Sequence, residues 1–211
     1  MRDLSEADEP TVLRNCDLHG LNLSQLEMPN WRFEKCNLVG TSFNGAMLEG
    51  AVFDGCRAAG ASFVSAVLTE AEIASGDFSN TSFRGATLAA MKIAHCKMTG
   101  ADFSEARASG MELEDILFVF ALLPKMPFHK MTLKQIDFTE ADLRSCDFRD
   151  VVFGDCLLRD ANLSDCRFEH ADLRGADLGG VTLTDAKRFK GAVISKHQGG
   201  DLLGQLGLMV R

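Results

Sequence analysis

The chain has 211 residues, 46% of them hydrophobic and 25% charged, and its formal net charge is -8. That length and apolar content exclude an intrinsically disordered chain and fit one folded domain. The acid excess argues against direct binding to nucleic acid or to an anionic membrane, which both need clustered Lys and Arg, and favours a partner with a basic surface.

The start, MRDLSEADEPTVL, lacks the apolar core of a signal peptide, and the longest apolar run, ILFVFALLP from Ile116, falls far short of the roughly 18 residues that span a bilayer. A cytoplasmic protein without a membrane segment is the expectation. Residues 1–12, polar and acidic, read as a cap over the open N-terminal end of the fold.

From Leu13 a period of five takes over. Stepping by five to Leu183 gives 35 positions, filled by 16 Leu, 13 Phe, two Met, two Ile and two Ala. Two residues before each of these centres, 26 of the 35 sites hold a small residue, while the other three positions of each block carry most of the polar ones. Five fits neither the helical period of 3.6 nor the strand period of 2. It fits a solenoid whose flat sides each turn one large and one small side chain inward. Four sides close a coil of 20 residues, so that Phe33, Phe53, Ile73 and Ile93 stack in a column. The predicted fold over residues 13–185 is therefore all-β, a right-handed quadrilateral β-helix of about nine coils at ~4.8 Å each.

Leu21, Leu26 and Trp31 put large residues on small sites and predict an irregular first coil. Cys16, Cys36, Cys56, Cys96, Cys146, Cys156 and Cys166 all fall on the small site without CxxC spacing, which reads as packing in a reducing compartment rather than as metal or redox chemistry. Gly40, Gly45, Gly50, Gly55 and Gly60 end their blocks, where a corner needs unusual backbone angles.

Between Met111 and Ile136 the pattern is disturbed. Met111, Ile116, Met126, Met131 and Ile136 occupy small sites, Pro124 and Pro127 add breaks, and the acidic Glu112, Glu114 and Asp115 before an apolar run look like the first turn of a helix. The centres Phe118, Leu123 and Phe128 keep their phase, so either the coil widens or an insertion of a multiple of five protrudes. Leu117, Phe118, Val119, Phe120 and Leu122 form the candidate contact loop there, with plain packing on the rod as the alternative.

Charge concentrates beyond this region: from Asp137 to Asp185 there are twelve Asp and Glu against five Arg and no Lys. Asp137, Asp142 and Asp147 precede centres, whereas Glu140, Asp150, Asp155, Asp160 and Asp165 close blocks; these eight make the candidate acidic contact surface. Residues 186–211 are net +4, and the pattern fails at Arg188. Ser195 and Gln198 then form a capping box for a short helix closed by Gly207 at C′. Leu202, Leu203 and Leu206 share a side of that helix and, with Met209 and Val210, form the candidate dimer interface. His19, His95, His129, His170 and His197 are scattered, with no HExxH, no GxSxG elbow and no phosphate loop, so no enzyme, cofactor or metal site is expected.

The blocks ADLRS, ANLSD, ADLRG and GADF carry the A(D/N)LXX pattern and resemble the pentapeptide-repeat proteins over about 80% of the chain. MKIAHCKMTGADFSEA (91–106) and the tail GAVISKHQGGDLLGQLGLMV (191–210) are similar to the quinolone-resistance (Qnr) branch. That resemblance implies an acidic rod imitating duplex DNA, a homodimer joined through the C-terminus, and protection of DNA gyrase, with topoisomerase IV as a further partner, from drugs that trap cleaved DNA. A structural or scaffolding repeat protein with another protein partner is the alternative.

Overall fold

The computed structural model describes residues 11–179, 187–205 and 207–209. Among these residues ten short parallel strands form one sheet that winds into a four-sided β-solenoid. They are β1 (Val12–Arg14), β2 (Arg32–Glu34), β3 (Val52–Asp54), β4 (Glu72–Ala74), β5 (Lys92–Lys97), β6 (Glu112–Leu117), β7 (Thr132–Asp137), β8 (Val152–Gly154), β9 (Cys156–Leu157) and β10 (Ala176–Asp177). Leu13 pairs with Phe33, Phe33 with Phe53, Phe53 with Ile73 and Ile73 with Ile93, so the column read from the sequence is the first face. Bridges such as Asp17 to Asn37, Asn22 to Ser42 and Glu27 to Met47 repeat the 20-residue step on the other three. Residues 11–170 thus make eight full turns and a ninth begins at Ala171; the first turn starts inside the span read as a cap, since Thr11 already accepts from Arg32 N–H.

The interior is stacked rings and aliphatic side chains. Phe43, Phe63, Phe83 and Phe103 lie in one column with centroids 4.8, 5.1 and 4.8 Å apart, near the strand spacing that sets the step. The small sites do more than leave room. Thr41 and Thr81 donate their hydroxyls to the carbonyls of Leu18 and Ala58, and Cys36, Cys56, Cys146 and Cys166 point their thiols at Leu13, Phe33, Leu123 and Leu143, always 23 residues back. Trp31 is buried over a first turn whose centres, Leu13, Leu18, Leu23 and Met28, are aliphatic, and its backbone keeps the regular ladder, contrary to the irregular coil expected.

From Asn15 to His170 every corner bends through a residue in the left-handed region, Gly in some turns and mostly Asn, Ser, Lys, Glu, Gln, Asp or His in others, with Ala90 and Phe120 besides. Gly50 is favoured by its φ of +64, and an added Cβ there would also make the Asn30 carboxamide one turn below swing aside.

The middle of the rod corrects the sequence reading. No insertion protrudes and no helix starts at Glu112. Instead β6 keeps the 20-residue register with β5 along its length and with β7 from Glu114 onward, and Met111, Ile116, Met126 and Ile136 are buried. What gives way is the wall. No bridge joins residues 106–113 to residues 126–133, because Pro127 has no N–H for the Ala106 carbonyl and three bulky methionines sit on small sites. The seam lies beside a groove of about 570 Å³ lined by Met111, Leu113, Met131 and Lys134.

The pattern also resumes after its break. Phe189 stacks on Phe168 at 5.0 Å and Val193 bridges Asp172, each 21 residues on, so one residue is added between Gly179 and Arg188. Ser195 caps helix α1 (Lys196–Gly204) through the expected capping box with Gln198. Gln205 is the C-cap and Gly207, at φ +78, lies two residues beyond it, one further than predicted. Gln198 Nε2 also donates to the carbonyls of Leu173 and Ala176, 2.7 Å each, which ties the helix across the end of the solenoid.

Candidate protein-interaction surface

The aspartates before centres are first of all turn-makers. Asp102, Asp137, Asp142, Asp147 and Asp172 each accept the backbone N–H two residues on, at 2.8 to 3.2 Å, which is why the repeat favours Asp or Asn there. Three are also neutralised: Arg144 grips Asp142, Arg149 grips Asp147 and Arg174 grips Asp172 with contacts of 2.5 to 2.7 Å. Those guanidiniums hold the three carboxyls below the ordinary aspartate range. The surface arginines therefore remove part of the acidic coat read from the sequence.

The block-closing acids behave differently. Asp150 meets His129 at 3.2 Å, while among the described residues Glu140, Asp155, Asp160 and Asp165 have no side-chain partner and stand exposed on left-handed corners. The fold spreads Asp150, Asp155, Asp160 and Asp165 over four different edges of the rod, so they form a belt and not a stripe.

Two of the predicted sets converge on one edge, between the second and third faces. Leu117 bridges Asp137, Leu122 bridges Asp142, and Phe120 donates its N–H to Thr139 beneath Glu140. An apolar row on the sixth turn thus lies directly under an acidic row on the seventh. Phe120, Leu117 and Leu122 are 54%, 44% and 41% exposed. Phe118 is a core residue, against expectation, and Val119 is half-buried. Asp102 below Leu122, and Leu157 beside Asp137, extend the patch and were missed by sequence reading, although their 20-residue offsets mark them. Asp147, Asp155 and Asp165 lie elsewhere.

At the C-terminal end Leu202 packs inward on its own chain and is not free for a dimer, whereas Leu203, Leu208 and Met209 are exposed, together with Val193 and Ile194. Leu206 and Val210 lie outside the described residues. Six of the seven cysteines are buried, and burial raises the Cys56 thiol to about 12. Among the described residues no cluster of His, Cys, Asp or Glu is placed to hold a metal ion.

The molecule is thus a rigid parallel β-solenoid whose outward side chains are set by register. The model for pentapeptide repeats (8 copies) matches residues 16–55, 32–63, 48–85 and 81–118, and that for pentapeptide repeats (9 copies) matches 128–177. The chain belongs to the pentapeptide-repeat family. The unmatched residues between 118 and 128 hold Phe120 and both prolines. Among solved structures, full-length QnrB1, a plasmid-mediated fluoroquinolone resistance protein, superposes with a TM-score of 0.75 at 22% identity, covering 93% of this chain and all of that one. A trypsin-treated variant of QnrB1 gives 0.70 at 24% identity, covering 96% and 98%. HetL, a pentapeptide-repeat protein involved in heterocyst differentiation regulation from the cyanobacterium Nostoc sp. strain PCC 7120, gives 0.40 at 21% identity over 78% and 86%. No curated protein sequence matches the chain.

Proposed function

We propose that this chain binds DNA gyrase, and topoisomerase IV in a similar way, as a rigid acidic rod, and protects the enzyme from drugs that trap its cleaved-DNA complex. The observation that carries the reading is the set of exposed carboxylates with no side-chain hydrogen bond or ion pair among the described residues, Glu140, Asp155, Asp160 and Asp165, fixed on the corners of a rod that cannot collapse around them. Fixed charges of one sign suit a channel lined with the opposite sign, because nothing has to be reorganised on docking. The end-to-end correspondence with a fluoroquinolone resistance protein supports the same assignment. A second reading, an interaction rod for another protein, draws on the arginine clamps at Asp142, Asp147 and Asp172, which make the coat less like a duplex.

Exposed Leu203, Leu208 and Met209 supply an apolar surface for a second copy, giving a rod about twice as long. Supercoiling by purified gyrase in the presence of a fluoroquinolone, titrated with the chain, is expected to recover, with light scattering on the same samples reporting a dimer. Cleaved-complex levels that stay constant at every protein concentration would defeat gyrase protection and favour the second reading.

A further inference from the structure

The chain has 15 Phe, and Phe120 is the one that faces solvent; the others are buried centres, or, for Phe189, packed against the core on the shifted register. Its backbone lies at φ +58, where its neighbours along the same edge are Gly60, Asn80, Gly100, Glu140 and Asp160. A bulky aromatic in that region is disfavoured by contact of its Cβ with the following carbonyl, and such outliers persist where the surrounding structure enforces them and cluster at functional sites. The ladder does enforce it here, through the Phe120 N–H to Thr139 bond of 3.1 Å. The flanking outward positions are Leu117 and Leu122, where the other described turns of those two faces carry Asp, Asn, Ser, Arg or Lys, except for Leu157, which lies beyond Asp137 in the Leu117 column. Three large apolar groups in a row, one of them strained, gain nothing for an isolated rod in water.

The row above supplies the second half. Glu140 stands over Phe120 without a side-chain partner among the described residues, Asp137 bonds only the Thr139 N–H, and Asp102 borders the patch from below. We propose that this patch is a protein-docking knob: Phe120 seats in an apolar socket of the partner, Leu117 and Leu122 seal its sides, and basic residues on the socket's rim meet Asp137 and Glu140. Aromatic anchors surrounded by a polar rim are the usual centres of binding energy in interfaces. The inference rests on the reading that the chain acts by binding a protein, and it names the chemistry of that partner's surface whether or not the partner is gyrase.

The test uses two probes on the full chain, gyrase holoenzyme and a synthetic amphipathic peptide of Leu and Lys, and one decisive variant. Phe120→Asn replaces the aromatic with the residue that suits the corner, as Asn80 does two turns below. Its melting temperature is expected to equal or exceed that of the parent, while affinity for both probes falls by about tenfold or more. Asp137→Asn with Glu140→Gln keeps the turn bond and is expected to weaken peptide binding and flatten its salt dependence. Unchanged affinity of Phe120→Asn for both probes overturns the knob, as does a lowered melting temperature with binding retained, which makes Phe120 a structural residue. A parent that ignores gyrase yet discriminates against Phe120→Asn with the peptide overturns the gyrase assignment and leaves the knob standing.

Discussion

At the scale of single residues, hydrogen bonding selects the occupants of the small inward site alongside volume. Alanine merely fits, but Thr and Cys each reach the carbonyl 23 residues back and so satisfy a group facing a dry interior. This explains six of the seven cysteines, Cys16 bonding the Arg14 carbonyl instead, and all seven thiols are free. Burial disfavours the thiolate, raising Cys56 to about 12 and also raising Cys36, Cys96 and Cys156. A thiol reagent at pH 8 is therefore expected to label the half-buried Cys16 in native protein and all seven in denaturant. Rapid native labelling of the other six would contradict the inward placement. The same shifts set an alkaline limit. Below the ordinary thiol range both states hold the proton and stability is unaffected, but between about 9 and about 12 the unfolded chain releases protons that folded Cys56 retains, so stability falls as pH rises.

At the scale of one turn, the seam is the weak element. Its expected signature is fast hydrogen exchange at Ala108, Gly110 and Thr132, whose amides have no ladder partner among the described residues, against slow exchange at Leu88, Ala90 and Glu112, which are bonded at 2.8 to 3.0 Å. Pro127→Ala returns a donor facing the Ala106 carbonyl and is expected to slow exchange at the seam and raise the melting temperature; equal exchange at both sets of amides would mean the wall is closed. The sequence announced this disturbance through Met111, Met126, Met131 and the two prolines, and the surviving phase of Phe118, Leu123 and Phe128 already required a multiple of five. It did not separate a missing bond from an added loop, because both leave the centres in phase. The same limit hid the site. Leu117 and Asp137, Phe120 and Glu140, Leu122 and Asp142 are each 20 apart, so the patch was legible once the coil length was applied to outward positions as well as to the core. The arginine clamps were less accessible, since a guanidinium two residues after an aspartate has rotamers that bond it and rotamers that do not. The extra residue before Arg188 left its mark only as a lapse in the pattern, with Phe189 taking the next centre.

At the scale of the whole rod, the question is which edge meets the partner. A square solenoid has four, and the fold assigns the acids to them without ambiguity: Glu140 and Asp160 stand on the edge that also carries Phe120, Asp155 and Asp165 on the two flanking edges, and Asp150 on the opposite one, against His129. A channel that enclosed the rod would sense all four edges alike. A partner that docks on the knob senses mainly one, because charges across the rod are separated by more than a Debye length of about 8 Å through protein and salt water. The double variant Glu140→Gln with Asp160→Asn is therefore expected to weaken gyrase binding and make its salt dependence shallower, whereas Asp150→Asn with Glu70→Gln, removing the same number of charges from the opposite edge, leaves both nearly unchanged. The parent's own affinity should fall as salt is added, since the attraction is long-ranged. Melting temperatures check that the corners survive, as Asn tolerates the left-handed region about as well as Asp. Equal losses in the two double variants would place the whole belt in contact and identify the partner's site as an enclosing channel, with Phe120 only one of several edges gripped.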